Sequence, residues 1–458
     1  MRFATVHRLV AIASCITTMS TLAGCAFYHR EPLVGSDTEK LLASPDRNAL
    51  AQGAGHLHHP LIAPVTLDFS RPLTSDEVTV IAVLANPDLR ALRMKEGVAA
   101  AQVFASGLFP DPQISGGVDQ LLSPKDQGLV NGYSGSVGLD LLGALATRAV
   151  ERKIARSAQN QARLDIAWQE WTTAGQARVL AIRLPYQTEA ASLAKQAADS
   201  ANRILILTLE ATQRGDLKGE DLEARRIAAA DATVRAAATA RDAETSRLEL
   251  NRLLGLRPEE ALDLVGPAPL ATWITPDAAA LFESARAQRL DLQALAAAYD
   301  GQEATLHRAI LGQYPRLGIT LARARDTSAV HTLSPAVNFD LPLWNRNAGV
   351  IDLVRADRSR LRAEYAARLH QTRAEIAALV AGINRDEAAR SAVAAGMADV
   401  TRIADSFDES AKRGDVTLPV ADSARAAAID KQIQLLGLEQ SCAEQRIALA
   451  LATGTAFP

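Results

Sequence analysis

Large aromatic side chains are scarce. Phe, Tyr and Trp make up 4% of the 458 residues, although 48% of the chain is hydrophobic. The apolar content is therefore small and aliphatic, much of it alanine. Such a composition suits long helices packed side by side and does not suit a compact enzyme core, which draws on larger rings. An excess of one charge is also missing: the formal net charge of −3 supplies no basic field for nucleic acid. After the first residues no run reaches the ~18 uninterrupted apolar positions that a membrane-spanning helix needs. Catalytic motifs are absent too. There is no Gly-rich phosphate loop, no Gly-x-Ser-x-Gly and no His-Glu-x-x-His, and His307, His331 and His370 stand isolated. These absences predict a protein that is not an enzyme and needs no cofactor.

Cysteine is nearly missing as well, with three in the chain. Cys15 falls in a leader-like segment. Arg2 and Arg8 give it a positive start, Leu9 to Met19 is apolar or small, and Leu22-Ala23-Gly24-Cys25 closes it. A short apolar run ending in small residues marks export, not a span. The Cys directly after Leu-Ala-Gly resembles a bacterial lipobox, which implies cleavage before Cys25 and lipidation of that residue. The non-acidic Ala26 goes with outer-membrane sorting of such lipoproteins. The alternative is an ordinary signal peptide with a chance Cys. With Cys25 acylated, Cys442 stands alone, which excludes an intramolecular disulfide and a Cys-based metal site. Its expected role is that of a small buried residue on a helix.

What the chain has instead is a duplication. Asp88-Leu89-Arg90-Ala91-Leu92 recurs as Asp291-Leu292-Gln293-Ala294-Leu295, an offset of 203. Phe109-Pro110 recurs as Tyr314-Pro315, and Leu139-Asp140-Leu141 as Phe339-Asp340-Leu341, at offsets of 205 and 200. Arg214-Gly215-Asp216 recurs as Arg413-Gly414-Asp415, and Gly255 as Gly454, both at 199. The order is conserved and the spacing nearly constant, which chance does not readily give. The predicted organisation is a leader over 1–24, a lipid-anchored strap or linker over 25–75, and repeats over 76–265 and 266–458.

Each repeat has one plan. A helical run (76–107, then 278–310) ends at an aromatic-Pro step, and two strand-like runs follow. A long helical run (145–213, then 348–412) breaks at the Arg-Gly-Asp turn. A second helix (218–254, then 419–452) returns. The strands rest on period-two alternation. Tyr133, Gly135, Val137, Leu139 and Leu141 share one face, and Leu317, Ile319 and Leu321 alternate with Gly318, Thr320 and Ala322. Val337, Phe339 and Leu341 alternate with Asn338 and Asp340, and 113–121 alternates more faintly. Such segments fit membrane strands and fit a soluble sheet equally. Pro185 inside the first long run predicts a kink or a split, with no counterpart in the second repeat.

A helix of about 68 residues is roughly 100 Å long, more than three times the ~30 Å core of a bilayer. Four strands cannot close a membrane barrel, which needs about eight, and an open sheet would leave backbone groups unpaired in lipid. If the strands enter a membrane, several chains must share one barrel.

Over about 75–454 the sequence resembles the TolC family of outer-membrane efflux proteins. The residues that carry the resemblance are Asn86-Pro87-Asp88-Leu89, Leu108-Phe109-Pro110, Phe339-Asp340-Leu341-Pro342-Leu343-Trp344-Asn345-Arg346-Asn347 and Val420-Ala421-Asp422-Ser423-Ala424-Arg425. The resemblance implies a mostly α, internally duplicated fold: long antiparallel helical hairpins form an α-barrel, and four strands per chain join a twelve-stranded barrel shared by a homotrimer. It implies a passive duct in the outer membrane, exporting drugs or heavy-metal cations, with a periplasmic adaptor and an inner-membrane pump as partners. Asn345-Arg346-Asn347 looks most like members serving pumps of the resistance-nodulation-division type. A periplasmic coiled-coil scaffold lipoprotein, or the outer duct of a type I protein secretion system, is the alternative.

Several residues then become candidates. Arg214, Gly215, Asp216, Arg413, Gly414 and Asp415 match the family's periplasmic tips, where adaptors dock; they also serve simply as hairpin turns with Gly at positive φ. Glu223 and Asp422, equivalent at an offset of 199, lie one to two turns past the tips. There they form either acidic rings of a periplasmic gate or a solvated helix face. His56, His58 and His59 precede Pro60 and either bind a cation or are incidental to an extended strap.

Overall fold

The computed structural model describes residues 28–33, 35–120, 122, 130–267 and 269–457. The chain divides into two units, one ending at Ala43 and one running from Ser44. In the first, helix α1 (Gly35–Leu41) is short and mostly exposed. The second holds everything else: α2 (Arg47–Gly55), α3 (Ser75–Ala85), α4 (Pro87–Ala105), β1 (Gln113–Asp119), β2 (Gly132–Leu139), α5 (Leu141–Arg214), α6 (Gly219–Leu253), α7 (Ala278–Gln288), α8 (Leu290–Leu311), β3 (Arg316–Arg325), β4 (His331–Asp340), α9 (Ala348–Arg413) and α10 (Leu418–Thr453).

The duplicated plan is present, with refinements. Each predicted first helical run is two helices. Asn86-Pro87 splits the first copy, because the residue before a proline leaves the α region while Pro87 suits the first helical turn. Arg289 splits the second in extended geometry. Helix α3 starts with a capping box: Thr74 Oγ1 accepts from the Glu77 amide (3.3 Å), and a Glu77 carboxylate oxygen accepts from the Thr74 amide (2.9 Å).

Helix α5 has 74 residues, about 110 Å at ~1.5 Å per residue. Pro185 sits inside it without splitting it. A proline removes one i→i−4 bond and crowds the carbonyl four residues back, and the packed turns on both sides hold the helix together despite that cost. Helices α5 and α6 form one hairpin and α9 and α10 the other. Helix α10 lies against α5, so the order across the body is α6, α5, α10, α9. Small residues allow this close approach: Gly175 meets Leu451 so closely that an added Cβ would lie 2.5 Å from its methyls.

The strap is part of the core over its second half. Leu50 and Leu73 pack with Val78, Ile81, Leu250 and Leu254. Ala54 and Ile62 pack with Val80, Val83 and the fully buried Trp171. Trp171 stacks on Phe457 from the C-terminal tail, with ring centroids 4.1 Å apart. In the second copy Ile376, Val380 and Ile383 of α9 pack with Ala285 and Leu449, covered by Trp273 and Phe282.

The strands form one antiparallel sheet in the order β1-β2-β3-β4, each hairpin coming from one copy. The predicted strands are all present. β3 and β4 run further than their apolar alternation suggests, to Arg325 and from His331, and Leu141 opens α5 instead of ending β2. Pro335 lies inside β4, whose outer edge has no partner among the described residues. An edge strand is where a residue without an N–H is tolerated.

Candidate functional site

Strand register sorts the sheet into two chemically different faces. Ile114, Val137, Leu321 and Pro335 lie in one row, Leu139, Ile319 and Val337 in the next, and Leu317 and Phe339 in the last. The opposite face is small and polar. Ser115 and Ser136 share a hydroxyl hydrogen bond (2.8 Å), and Asn338 donates to Thr320 Oγ1 (2.7 Å). In a soluble protein the apolar face would be covered, yet every residue of β4 is exposed. Among the described residues neither outer edge, β1 or β4, has a strand partner, so both carry unpaired backbone groups. Below the apolar rows, where strands give way to helices, Trp344 is 99% exposed and Phe109, Tyr314 and Leu343 are exposed with it. An apolar band bordered by aromatic side chains is the pattern of a strand array in lipid. Among the described residues no helix is long and apolar enough to cross a membrane.

At the other end of α5 and α9 the two turns are near copies. Gly215 and Gly414 take φ values of 83° and 82°. The Gly215 amide donates to Thr212 and the Asp216 amide to Ala211; the Gly414 amide donates to Ala411 and the Asp415 amide to Ser410. These bonds satisfy carbonyls that the helix end would leave without donors. Arg214 Nε donates to Asp216 (3.2 Å) and Arg413 Nε to Asp415 (2.9 Å), so each tip presents one exposed Arg–Asp pair.

Glu223 and Asp422 do not share an environment despite their equivalence. Glu223 is exposed and pairs with Arg226 on its own helix (3.3 Å). Asp422 is half-buried and accepts a hydrogen bond from Ser200 of α5. One turn further along α10, Arg425 pairs with Asp408 of α9. Sequence reading missed Ser200 and Asp408, because only the fold brings them to α10. Asp422 and Arg425 thus tie α10 to a helix on each side, while Glu223 ties nothing across.

The three histidines do not act together. His56 and His58 are exposed, and His58 Nδ1 meets the His56 carbonyl (2.7 Å). The His59 side chain is only 1% exposed, and both its nitrogens are engaged. Nδ1 accepts from the Leu61 amide (3.1 Å) and Nε2 donates to the Ala167 carbonyl (3.0 Å). Burial pushes its pKa down, so the ring is neutral and locks the strap to α5. Among the described residues no three His, Cys, Asp or Glu side chains converge as a metal site. Cys442 is fully buried on α10, and burial pushes its thiol up to about 11. Cys25 lies outside the described residues.

Comparison with known proteins places this architecture. No family model matches the sequence, and no curated protein matches it. Solved structures match strongly. The CmeC outer membrane channel of Campylobacter jejuni superposes with a TM-score of 0.70 at 17% identity, over 84% of this chain and 86% of that one. The open-state MtrE outer membrane channel of Neisseria gonorrhoeae gives 0.64 at 15% identity, over 94% and 99%. CusC, described with transmembrane channel formation, gives 0.66 at 14%, over 87% and 99%. At such identities the likeness is one of fold: the chain has the TolC-like fold, mostly helical with a small four-stranded sheet.

Proposed function

We propose that this chain, whose fold is that of outer-membrane channels, is one subunit of a passive efflux duct. Three copies complete a twelve-stranded barrel in the outer membrane, and their helical hairpins continue it as an α-barrel through the periplasm. One observation carries the reading: the sheet has an apolar face, a small polar face and two unpaired edges. In lipid each unpaired backbone group is costly, and only closure removes the edges. Sister sheets supply the missing neighbours, which puts Ile114, Val137 and Phe339 against lipid and Ser115, Ser136 and Thr320 along a wet lumen.

The sequence motifs supply the finer assignments of this reading. Cys25 carries the lipid anchor. Arg214-Gly215-Asp216 and Arg413-Gly414-Asp415 are the docking tips for a periplasmic adaptor, which connects to an inner-membrane pump of the resistance-nodulation-division type. Asp422 and Glu223 belong to the periplasmic mouth, where Asp422 with Ser200, and Arg425 with Asp408, hold α10 in the closed arrangement. The cargo is a drug or a heavy-metal cation chosen by the pump. Nothing in the duct requires a cofactor or catalysis.

The test is oligomeric state and conductance. Protein purified in detergent should have the mass of three chains and open channels in planar bilayers. Monomers with no conductance, and Val137 shielded from a lipid-phase crosslinker, would replace the duct with a periplasmic scaffold. A deletion strain screened against metals, dyes and antibiotics then identifies the cargo.

A further inference from the structure

Two guanidinium groups stand on the apolar face of the sheet. Arg323 and Arg325 belong to the same side of β3 as Ile319 and Leu321, since alternate residues share a face. Their rows are distinctive. Arg323 lies between Gly135 of β2 and Leu333 of β4, and Gly116 of β1 lies beyond Gly135. Arg325 lies between Tyr133 and His331, its guanidinium 6.0 Å from the Tyr133 ring centroid. Its Nε is buried and has no hydrogen-bond partner among the described residues.

Neither arginine has a carboxylate among the described residues. The nearest acidic residue in sequence, Asp326, is committed to its own turn, accepting from the Ser328 and Val330 amides (2.9 Å each). Both arginines are on an inner strand of the sheet, so a neighbouring subunit at the β1 or β4 edge does not reach them directly. An unpaired cation is costly at the middle of a bilayer and nearly free at its surface. The Arg325 row is eight residues up the strand from Leu317, roughly 26 Å along it. At a strand tilt of about 40° that is roughly 20 Å of height, most of the ~25 Å apolar band of an outer-membrane barrel. The helices leave from the Leu317 end, so the arginines mark the opposite, outward-facing rim.

On the channel reading, from which this step proceeds, we infer that Arg323 and Arg325 form an anion site for the phosphorylated glycolipid of the outer leaflet. Guanidinium groups bind phosphate oxygens in pairs of parallel hydrogen bonds. Tyr133 and His331 border the site with polar tips at headgroup height. Gly116 and Gly135 leave the sheet bare beside Arg323: a Cβ added at either would meet only a strand carbonyl, at 3.7 and 3.9 Å. That bare strip is open for the glycolipid to lie against the strands. The subunit thus selects its lipid neighbours by charge on a face otherwise read as uniformly apolar.

The experiment uses the full-length trimer in phosphatidylcholine nanodiscs with a trace of bisphosphorylated lipid A, or of the same lipid stripped of its phosphates. Bound lipid A is counted by native mass spectrometry. The wild type should prefer the phosphorylated form by roughly 30-fold, from two cations near a membrane surface. Arg323→Gln with Arg325→Gln should remove the preference, and the double Lys variant should keep part of it. Gly135→Leu, which fills the bare strip, should lower it with both charges intact. No preference in the wild type, or an undiminished one in the Gln variant, would overturn the site, as would release of the lipid by millimolar inorganic phosphate. Conductance of the same samples separates the two ideas. Trimers that conduct without discriminating sink this inference alone, whereas samples that neither trimerise nor conduct sink the channel reading and this site with it.

Discussion

In the first copy helix α6 ends at Leu253, and the Asn86 carboxamide donates to its carbonyl (2.9 Å) while accepting from the Leu89 amide (2.9 Å). In the second copy α10 ends at Thr453, and the Arg289 guanidinium donates to the Ala452 carbonyl (2.9 Å). Guanidinium has no acceptor, so Asp291 takes the other half of the task, accepting from the Leu292 amide (3.0 Å) and from Arg289 through two bonds. The backbone has the same demand at both places: a helix end to be satisfied and a helix start to be capped. One neutral side chain does both in the first copy, and a buried ion pair does both in the second. The buried pair draws in further charge, with Arg368 and Glu375 at 3.7 Å and the Trp168 ring under Arg289 at 4.7 Å. Duplication preserved the geometry and let the chemistry drift.

The largest expected effect tests that difference. Arg289→Ala strands the Asp291 carboxylate in a buried site and should cost about 3–5 kcal/mol in denaturant unfolding. Adding Asp291→Asn should restore part of the loss. Asn86→Ala removes a cap and leaves a buried carbonyl without a donor, at about 2–3 kcal/mol. Equal losses at the two sites would break the comparison. The paired glycines sharpen it. Gly255 and Gly454 hold φ values of 64° and 67°, so Ala at either should cost about 1–2 kcal/mol. Gly255→Ala should cost more, because its Cβ would sit 3.0 Å from the Ala85 carbonyl, against 3.4 Å from Arg289 N at Gly454.

The smallest effect concerns what covers each copy. The strap over α5 is fastened by neutral His59, while the linker over α9 is fastened by Trp273 Nε1 donating to Asn384 (2.7 Å). Burial holds His59 below its ordinary range, with Glu170 3.8 Å away and itself paired to Arg93. The unfolded chain therefore takes up the proton first as pH falls. The stability from the neutral ring is whole above pH ~6.5 and is lost progressively below it. Relative to the intrinsic amide rate at each pH, hydrogen-exchange protection over 56–69 should fall between about pH 7.5 and about pH 5.5, while protection over 270–276 stays unchanged. His59→Gln should abolish the response.

Much of this was legible because local rules and the duplication agree. Gly215 and Gly414 were readable as turn residues, and both hold the left-handed geometry. Tyr133 to Leu139 was readable as a strand because its apolar side chains alternate. The upper parts of β3 and β4 were hidden because Arg323, Arg325 and Pro335 interrupt the apolar period, and on the channel reading their places become sensible at a membrane rim and a sheet edge. Asn86 belongs to a stretch that carries the family resemblance, yet its partner Leu253 is 167 residues away, beyond any local pattern. The Asp422–Ser200 and Arg425–Asp408 contacts were hidden for the same reason.

The bare edges of β1 and β4 have a kinetic consequence. The helical hairpins are built from contacts near in sequence and can form in a single subunit. The sheet can be completed only when sisters meet, so on the channel reading the last stage of maturation is second order or higher in protein. Its speed should follow subunit concentration at the membrane, and dilution should leave helical, half-finished subunits that remain prone to pairing with the wrong strand.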